Sequence, residues 1–533
     1  MSWIDAQLPI LPVLLPAATA ILLLLIGDHG GDDTAHGHRR LLWARRIAQG
    51  SVLLGLVLAA ALVHQAAGGE IRVYLLGAWP APYGIAIVID RLSALMLLLT
   101  SVVAVPVLWY ATGGWDARGR YFHALFQFQL MGLNGAFVTG DLFNLFVFFE
   151  VLLIASYALM LHGLGERRLR VGLHYMVLNL AASALFLVGV SLLYAQTGTL
   201  NLADLALRVA RVEAPDAAIA QAAAWLLLVV FGFKAALLPL SLWLPATYAA
   251  ACPPVAALFA LMTKVGVYAI WRVHGVVFGA DAGASAYAVE PLLLPLALGT
   301  SVLGVLGALA AHTLERLIAW LTMASVGTVL VALSLFNADA WSAGLYYMAN
   351  STLVIAGLFL LAELVAAQRG DAADRLVPAS PLAQPALMGL LMLLAAASAA
   401  GLPPLPGFIG KLMLLQASSE HTWQAAIWTT VLGVGFLTMI GLARAGSIMF
   451  WHVRDDLPAS TPSGTSPKLI GATLLLLATT VAMSVFAAPI QRYTAATALQ
   501  LNDRAAYARA VLGAQGEATQ STRPYDGRAG GPR

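Results

Sequence analysis

Apolar residues run through this chain in long stretches separated by short polar joints. A helix that crosses a bilayer needs about 20 mainly apolar residues. Fourteen stretches qualify, at 9–27, 47–67, 92–110, 122–140, 142–162, 172–194, 221–244, 253–275, 291–311, 315–335, 341–366, 384–417, 424–451 and 469–488. The expected fold is therefore an all-α polytopic membrane protein of about fourteen transmembrane helices. Between the stretches little is left. Residues 28–46 read as a Gly/Asp/His-rich loop, and 68–90 alternates apolar and polar positions around Trp79 and Pro80, which predicts a short hairpin on the outer face. Residues 515–533, rich in Gly, Arg, Ser and Thr, are expected to be disordered.

Composition narrows the function classes. Of 533 residues, 60% are hydrophobic and 10% charged, against about 25% charged in soluble chains. Soluble enzymes, disordered chains and disulfide scaffolds are excluded. With a net charge of +3 and scattered arginines there is no basic stripe for nucleic acid. Cys252, the single cysteine, supports neither a disulfide nor a Cys-based metal site. No phosphate-binding loop or nucleotide fold finds room, so no cofactor is expected, and the energy source must be an ion gradient or a partner subunit. Asp5 and the lack of a basic cluster near residue 1 argue against a cleaved signal.

An even number of spans puts both termini on one side. Joints after odd-numbered spans carry Arg39, Arg40, Arg45, Arg46, Arg118, Arg120, Arg167, Arg168, Arg170, Arg316, Arg369, Arg375, Arg454 and Lys468. Those after even-numbered spans carry only Arg72, Arg91, Arg208, Arg211 and Arg272. Cytoplasmic joints are the Lys/Arg-rich ones, so both termini are expected outside. Six arginines after residue 489 pull the other way, but a tail weighs less than short joints.

The lysines carry the chemistry. There are four, against twenty-five arginines, and Lys234, Lys264 and Lys411 sit inside apolar stretches. A charge at mid-bilayer costs at least about 2.5–3.5 kcal/mol. Lysine can give up its proton when buried, whereas arginine stays charged, so three buried lysines read as protonatable sites. The bland alternative is that each snorkels to an interface or balances a carboxylate. A matching carboxylate is Glu150, about 13 Å along its helix from Asp141. Its helix-face neighbours Phe146, Val147, Leu153 and Ile154 offer no hydrogen bond. Its partner must come from another helix, and Lys234 is the natural candidate, whether as a relay or as a static tie.

Prolines break two of these helices. Pro239 and Pro245 follow Lys234, while Pro403, Pro404 and Pro406 precede Lys411. Breaks at membrane depth are tolerated where backbone is covered by protein or lines a cavity, and in transporters they mark the transport site. Broken helices in spans 7 and 12, five apart, suggest two five-helix units over spans 4–8 and 9–13. His312, Thr322, Ser325, Asn350, Ser351, Tyr157 and Asn179 are polar positions able to hold water between the lysines, or to form ordinary interhelical hydrogen bonds.

Four motifs, TGDLFNLFVFFE at 139–150, KAALLPLSLWLP at 234–245, LMTKVGVY at 261–268 and GLPPLPGFIGK at 401–411, closely resemble the antiporter-like subunits shared by Mrp-type multisubunit cation/proton antiporters and respiratory complex I. The stretch around Glu150 looks most like the D branch of the Mrp (Pha) subunits. The resemblance spans nearly the whole chain apart from about forty residues at each end. It implies two inverted five-helix repeats and a central line of charged residues carrying protons. Glu150 falls on the family's fifth-helix glutamate, and Lys234, Lys264 and Lys411 on the lysines of helices 7, 8 and 12. The implied division is 1–120 for helices 1–3 with the hairpin, 121–280 and 281–455 for the repeats, and 456–533 for helix 14 and the tail. Where many relatives open the tenth helix with Asp-x-Lys-Arg, this chain has Thr313, Leu314, Glu315 and Arg316, and Asn350 stands where relatives often have histidine.

The resemblance implies a proton-translocating subunit of a Na+/H+ antiporter in a bacterial cytoplasmic membrane, a secondary transporter subunit rather than an enzyme. Its partners would be the other subunits and the lipid bilayer. Beyond Glu150 only Glu363, near the inner end of its span, offers a membrane carboxylate, so a sodium route would lie at an interface with other subunits. Two alternatives stand beside this: a proton-pumping subunit of a complex I-like or hydrogenase-type oxidoreductase, and a structural scaffold.

Overall fold

The computed structural model describes residues 7–27, 34–453 and 465–513. The expected disorder at 515–533, part of the loop at 28–46, Asp5 and Arg454 lie outside the described residues. Helical structure falls on all fourteen apolar stretches. In chain order the helices are α1 Leu11–Ile26, α2 Ala35–Ala66, α3 Arg91–Ala111, α4 Phe122–Val138, α5 Leu142–Met160, α6 Glu166–Thr197, α7 Leu202–Val209, α8 Ala217–Ala235, α9 Trp243–Tyr248, α10 Pro253–Phe259 and α11 Met262–Ile270. They continue with α12 Glu290–Leu309, α13 Leu314–Ser334, α14 Ala338–Ala366, α15 Pro385–Ala400, α16 Pro406–Ala417, α17 Gln424–Phe450, α18 Pro467–Val485, α19 Ala487–Asn502 and α20 Arg504–Leu512. Among the described residues, eleven helices are long and apolar enough to cross a membrane. The stretches at 9–27, 122–140 and 384–417 form shorter helices: α1 has 16 residues, α4 has 17, and the last is split into α15 with 16 and α16 with 12.

Helix starts follow side-chain chemistry. Asp90, Asp141, Asn201, Thr313 and Asn337 each accept a backbone N–H from the first turn of α3, α5, α7, α13 and α14. Those donors have no intrahelical acceptor, so the caps fix where each helix begins. Residues 68–90 do contain the expected hairpin, β1 Arg72–Leu75 antiparallel to β2 Ala86–Ile89, with Arg72 opposite Ile89. β2 is buried, and the Ala86 carbonyl accepts the Gly140 N–H at 2.8 Å, which fastens the hairpin to the joint between α4 and α5.

Three segments differ from the sequence expectation. α2 begins at Ala35, well before its apolar stretch, so Arg39, Arg40, Arg45 and Arg46 lie on a helix rather than in a loop. Arg272, expected in a joint, is buried in a π-helical turn, Trp271–Val277, that continues α11. The stretch beyond 488, read from sequence as a tail, forms α19 and α20, whose mixed composition hid them; Leu501, Tyr507 and Val511 are buried.

The core is built from the helices that are apolar all round. The segment Pro253–Val277 is wholly buried over its most apolar stretch, and nearly all residues of the corresponding stretches of α13 and α14 are buried. α6, by contrast, exposes Leu173, Val177, Leu180 and Val188 along one face. Glycines let core helices touch: a Cβ on Gly304 of α12 would lie 2.4 Å from the Ala324 nitrogen of α13. Small residues at such crossings are how helices approach closely in an apolar medium.

Asp90 and Arg272 tie the hairpin side to this core. The guanidinium bonds both Asp90 carboxylate oxygens, and its Nε donates to the Tyr268 hydroxyl at 2.8 Å. Burial pushes the Asp90 carboxyl up, but Arg272 and the Ser93 donors override it and hold the carboxyl below its ordinary value. Asp90→Asn strands a buried guanidinium, which costs about 3–5 kcal/mol. We expect a clearly lower melting temperature in detergent at neutral pH. A carboxyl depressed in the folded state contributes above its unfolded value and stops contributing as pH falls through its folded value. The difference between parent and variant should therefore shrink below about pH 4, and an undiminished gap in strong acid would contradict the ion-pair account.

Candidate functional site

Glu150, Lys234 and Lys264 come from α5, α8 and α11, with α6 between the first two. Glu150 is half-buried and accepts a short hydrogen bond from the Ser183 hydroxyl of α6. Lys234 is 6% exposed, and its Nζ donates to Asn179 Oδ1 of α6 at 3.1 Å. Asn179 and Ser183 are four residues apart, on one face of α6. The direct Glu150–Lys234 contact expected from sequence is therefore absent: each side chain bonds α6 instead of the other. α6 packs against both α5 and α8 and inserts two polar side chains where a direct contact was expected. The Lys234 ammonium stands 5.9 Å from the centre of the Phe149 ring.

Lys234 sits where its helix stops. Pro239 has no N–H to give the Ala235 carbonyl, and its ring would clash there, so α8 ends at Ala235. Ala236 turns left-handed, and the Leu237 N–H reaches back to the Gly232 carbonyl at 2.7 Å. The groups freed by the break find partners: the Leu238 N–H donates to Thr300 Oγ1 of α12 at 2.9 Å, and Trp243 Nε1 to the Phe233 carbonyl at 3.1 Å. Such internal satisfaction is what permits a break away from water. On α11, Gly266 presses against this end, since a Cβ there would lie 2.5 Å from the Ala235 nitrogen. Two residues earlier on α11, Lys264 is fully buried and its Nζ has no hydrogen-bond partner among the described residues.

Lys411 lies at the second break. α15 ends at Ala400, Gly401 turns left-handed at φ 85°, and Pro406 opens α16. Lys411 Nζ donates to the freed Ala400 carbonyl at 2.7 Å. A cavity of ≈ 20 Å³ adjoins it, lined by Ser325, Tyr347, Asn350, Ser351, Thr438 and Lys411 among others. A cavity of that size, with several polar groups on an otherwise apolar wall, accommodates about one water molecule. Ser398 donates to Asn350 Oδ1 at 2.9 Å, linking α15 to α14.

The structure sorts the other sequence candidates. Ser325, Asn350 and Ser351 reach the Lys411 cavity. Thr322 is buried one turn away, bonded to the Ile318 carbonyl at 2.9 Å. Tyr157 lies two helical turns beyond Glu150 and packs edge-on against Tyr175 at 5.4 Å. His312 does not join them: it is exposed in the joint between α12 and α13. Sequence reasoning missed Ser183, Ser398, Tyr347 and Thr438. Only Ser183 had a signal, its four-residue spacing from Asn179. Among the described residues, no group of three or more His, Cys, Asp or Glu is arranged to hold a metal ion.

The family model for the NADH:quinone oxidoreductase/Mrp antiporter transmembrane region matches residues 139–438, which hold all four charged positions. The D subunit of a probable K(+)/H(+) antiporter of Rhizobium meliloti is 41% identical over 96% of this chain and 98% of its own length. The chain belongs to this family. The D subunit of a Na(+)/H(+) antiporter of Alkalihalophilus pseudofirmus is 36% identical, covering 95% of the chain and 99% of the relative. A chain in the Mrp complex of Dietzia sp. DQ12-45-1b superposes with a TM-score of 0.84 at 27% identity, over 96% of this chain and 100% of that one. A chain of respiratory complex I from Thermus thermophilus, at TM-score 0.74 and 24% identity over 93% of this chain and 99% of that one, shares the fold. This member of the Mrp antiporter family is thus a multi-pass membrane protein.

Proposed function

We propose that the chain is the proton-translocating subunit of a multisubunit monovalent cation/proton antiporter, working through Glu150, Lys234, Lys264 and Lys411. The observation that carries this reading is the placing of Lys234 and Lys411 at two helix breaks, each amine held by a neutral oxygen rather than a carboxylate. A fixed counter-charge would be expected to meet its opposite charge directly. The antiporter relatives support this setting over the redox pump, whose likeness at 24% identity extends to the fold alone. The arrangement we propose has fourteen spans, two inverted five-helix repeats over 121–280 and 281–455, and both termini outside a bacterial inner membrane.

In this reading protons pass by local rearrangement. The Lys234 amine leaves Asn179, Glu150 tracks it across the α6 bridge, and each change of charge alters how readily the next lysine holds its proton, an influence that is strong in a low dielectric. Ser325, Asn350 and Tyr157 supply hydrogen bonds along the way. The cation takes another route. Na+ or K+ needs several oxygen ligands, so the cation path lies at interfaces with partner subunits. The test is reconstitution in liposomes with Na+ or K+ outside. The assembled complex should exchange cations for protons and the purified chain alone should not. Robust exchange by the chain alone would overturn the division of labour.

A further inference from the structure

We infer that Gly435 of α17 is a positioning residue that keeps open a docking place for the Lys411 amine on the end of α15. The inference rests on Lys411 being a proton carrier, as proposed above, and adds the element that sets where the amine rests.

The Ala400 carbonyl is free because the chain leaves the helix at Gly401, and a helix C-terminus carries partial negative charge, which favours a cation. Lys411 Nζ sits on that carbonyl at 2.7 Å. Both residues flanking the contact are glycines. A Cβ on Gly401 would lie 2.9 Å from Lys411 Cδ, and one on Gly435 would lie 3.1 Å from both Lys411 Nζ and the Ala400 oxygen. That is tighter than ordinary contact, and the Ala400 oxygen belongs to backbone. The flexible end of the lysine is the group that would have to move.

It has somewhere to move. Val434 and Thr438, either side of Gly435 on α17, line the small cavity with Ser325 and Asn350. The amine thus has two resting places, on the carbonyl and in the cavity. A carbonyl oxygen does not take up the proton, so the docked ammonium keeps it. Release requires the amine to turn to the cavity and hand the proton to water there, leaving a neutral amine. Among the residues that line the cavity with Lys411, the titratable one is Tyr347 of α14, its ring centre 6.0 Å from Nζ. The carbonyl contact favours the charged over the neutral amine.

The test compares Gly435→Ala with Gly433→Ala in the assembled complex, in everted vesicles. Gly433 is on the same helix and a Cβ there meets nothing within 4 Å, so it controls for the general effect of alanine in α17. Losing one hydrogen bond from a charged donor corresponds to about a tenfold change. We expect Gly435→Ala to change the exchange rate by about tenfold and to displace its pH profile by about one unit, with Gly433→Ala matching the parent in both. Identical behaviour of the two variants would overturn the inference, as would loss of assembly in Gly435→Ala alone, which would make the glycine a packing residue. Full exchange by Lys411→Ala would instead overturn the underlying reading of Lys411.

Discussion

Glu150→Ala and Lys234→Ala are each expected to abolish cation-dependent proton movement in everted vesicles while the complex still assembles. Assembly should survive because neither side chain is tied to a charge that its loss would strand: Glu150 is held by Ser183 and Lys234 by Asn179, both neutral. Removing one half of a directly bonded buried ion pair would be far more damaging. Transport should not survive, because Ser183 and Asn179 hold Glu150 and Lys234 on one face of α6, where in a low dielectric a charge at one alters proton binding at the other. Glu150→Gln sharpens the test. It keeps an acceptor for Ser183 but removes the charge, so it should fall with the alanine variant. Normal transport by either alanine variant would show the relay assignment to be wrong, and normal transport by Glu150→Gln alone would show that shape rather than charge is used.

What the sequence disclosed follows from which forces act locally. Apolar stretches long enough for a bilayer became helices, because a buried backbone must satisfy its own hydrogen bonds. Pro239 and Pro404 marked both breaks, since neither has an N–H for the carbonyl four residues back, Ala235 and Ala400, where α8 and α15 end. The Glu150–Lys234 geometry was not legible. Nothing in the spacing of either residue says that a third helix, α6, would place Asn179 and Ser183 between them. His312, just past the apolar stretch at 291–311, was a candidate for its polarity alone, and it is exposed in the joint after α12, which ends at Leu309. α19 and α20 escaped notice because they are held by packing on elements distant in sequence: α19 on α14, and α20 on α7 and β1. The role of Gly435 depends on a lysine and a carbonyl from two other helices, and appears only once α15, α16 and α17 are assembled.

At Lys411 the decisive comparison is arginine against alanine. A guanidinium stays charged under any realistic burial and donates to carbonyls readily, so Lys411→Arg preserves everything a fixed positive charge on the Ala400 carbonyl requires. If Lys411 served only as such a charge, the arginine form would keep most of its activity. A proton carrier behaves otherwise, because the arginine form can hold a proton but cannot release it to the cavity beside Ser325 and Asn350. Loss of a positioned proton-transfer group costs about a hundredfold or more. We therefore expect both Lys411→Arg and Lys411→Ala to fall by that factor in vesicle exchange assays, with assembly intact on native gels. An arginine variant that exchanges cations for protons near the parent rate would reduce Lys411 to a structural charge and leave the second half of the path without its carrier.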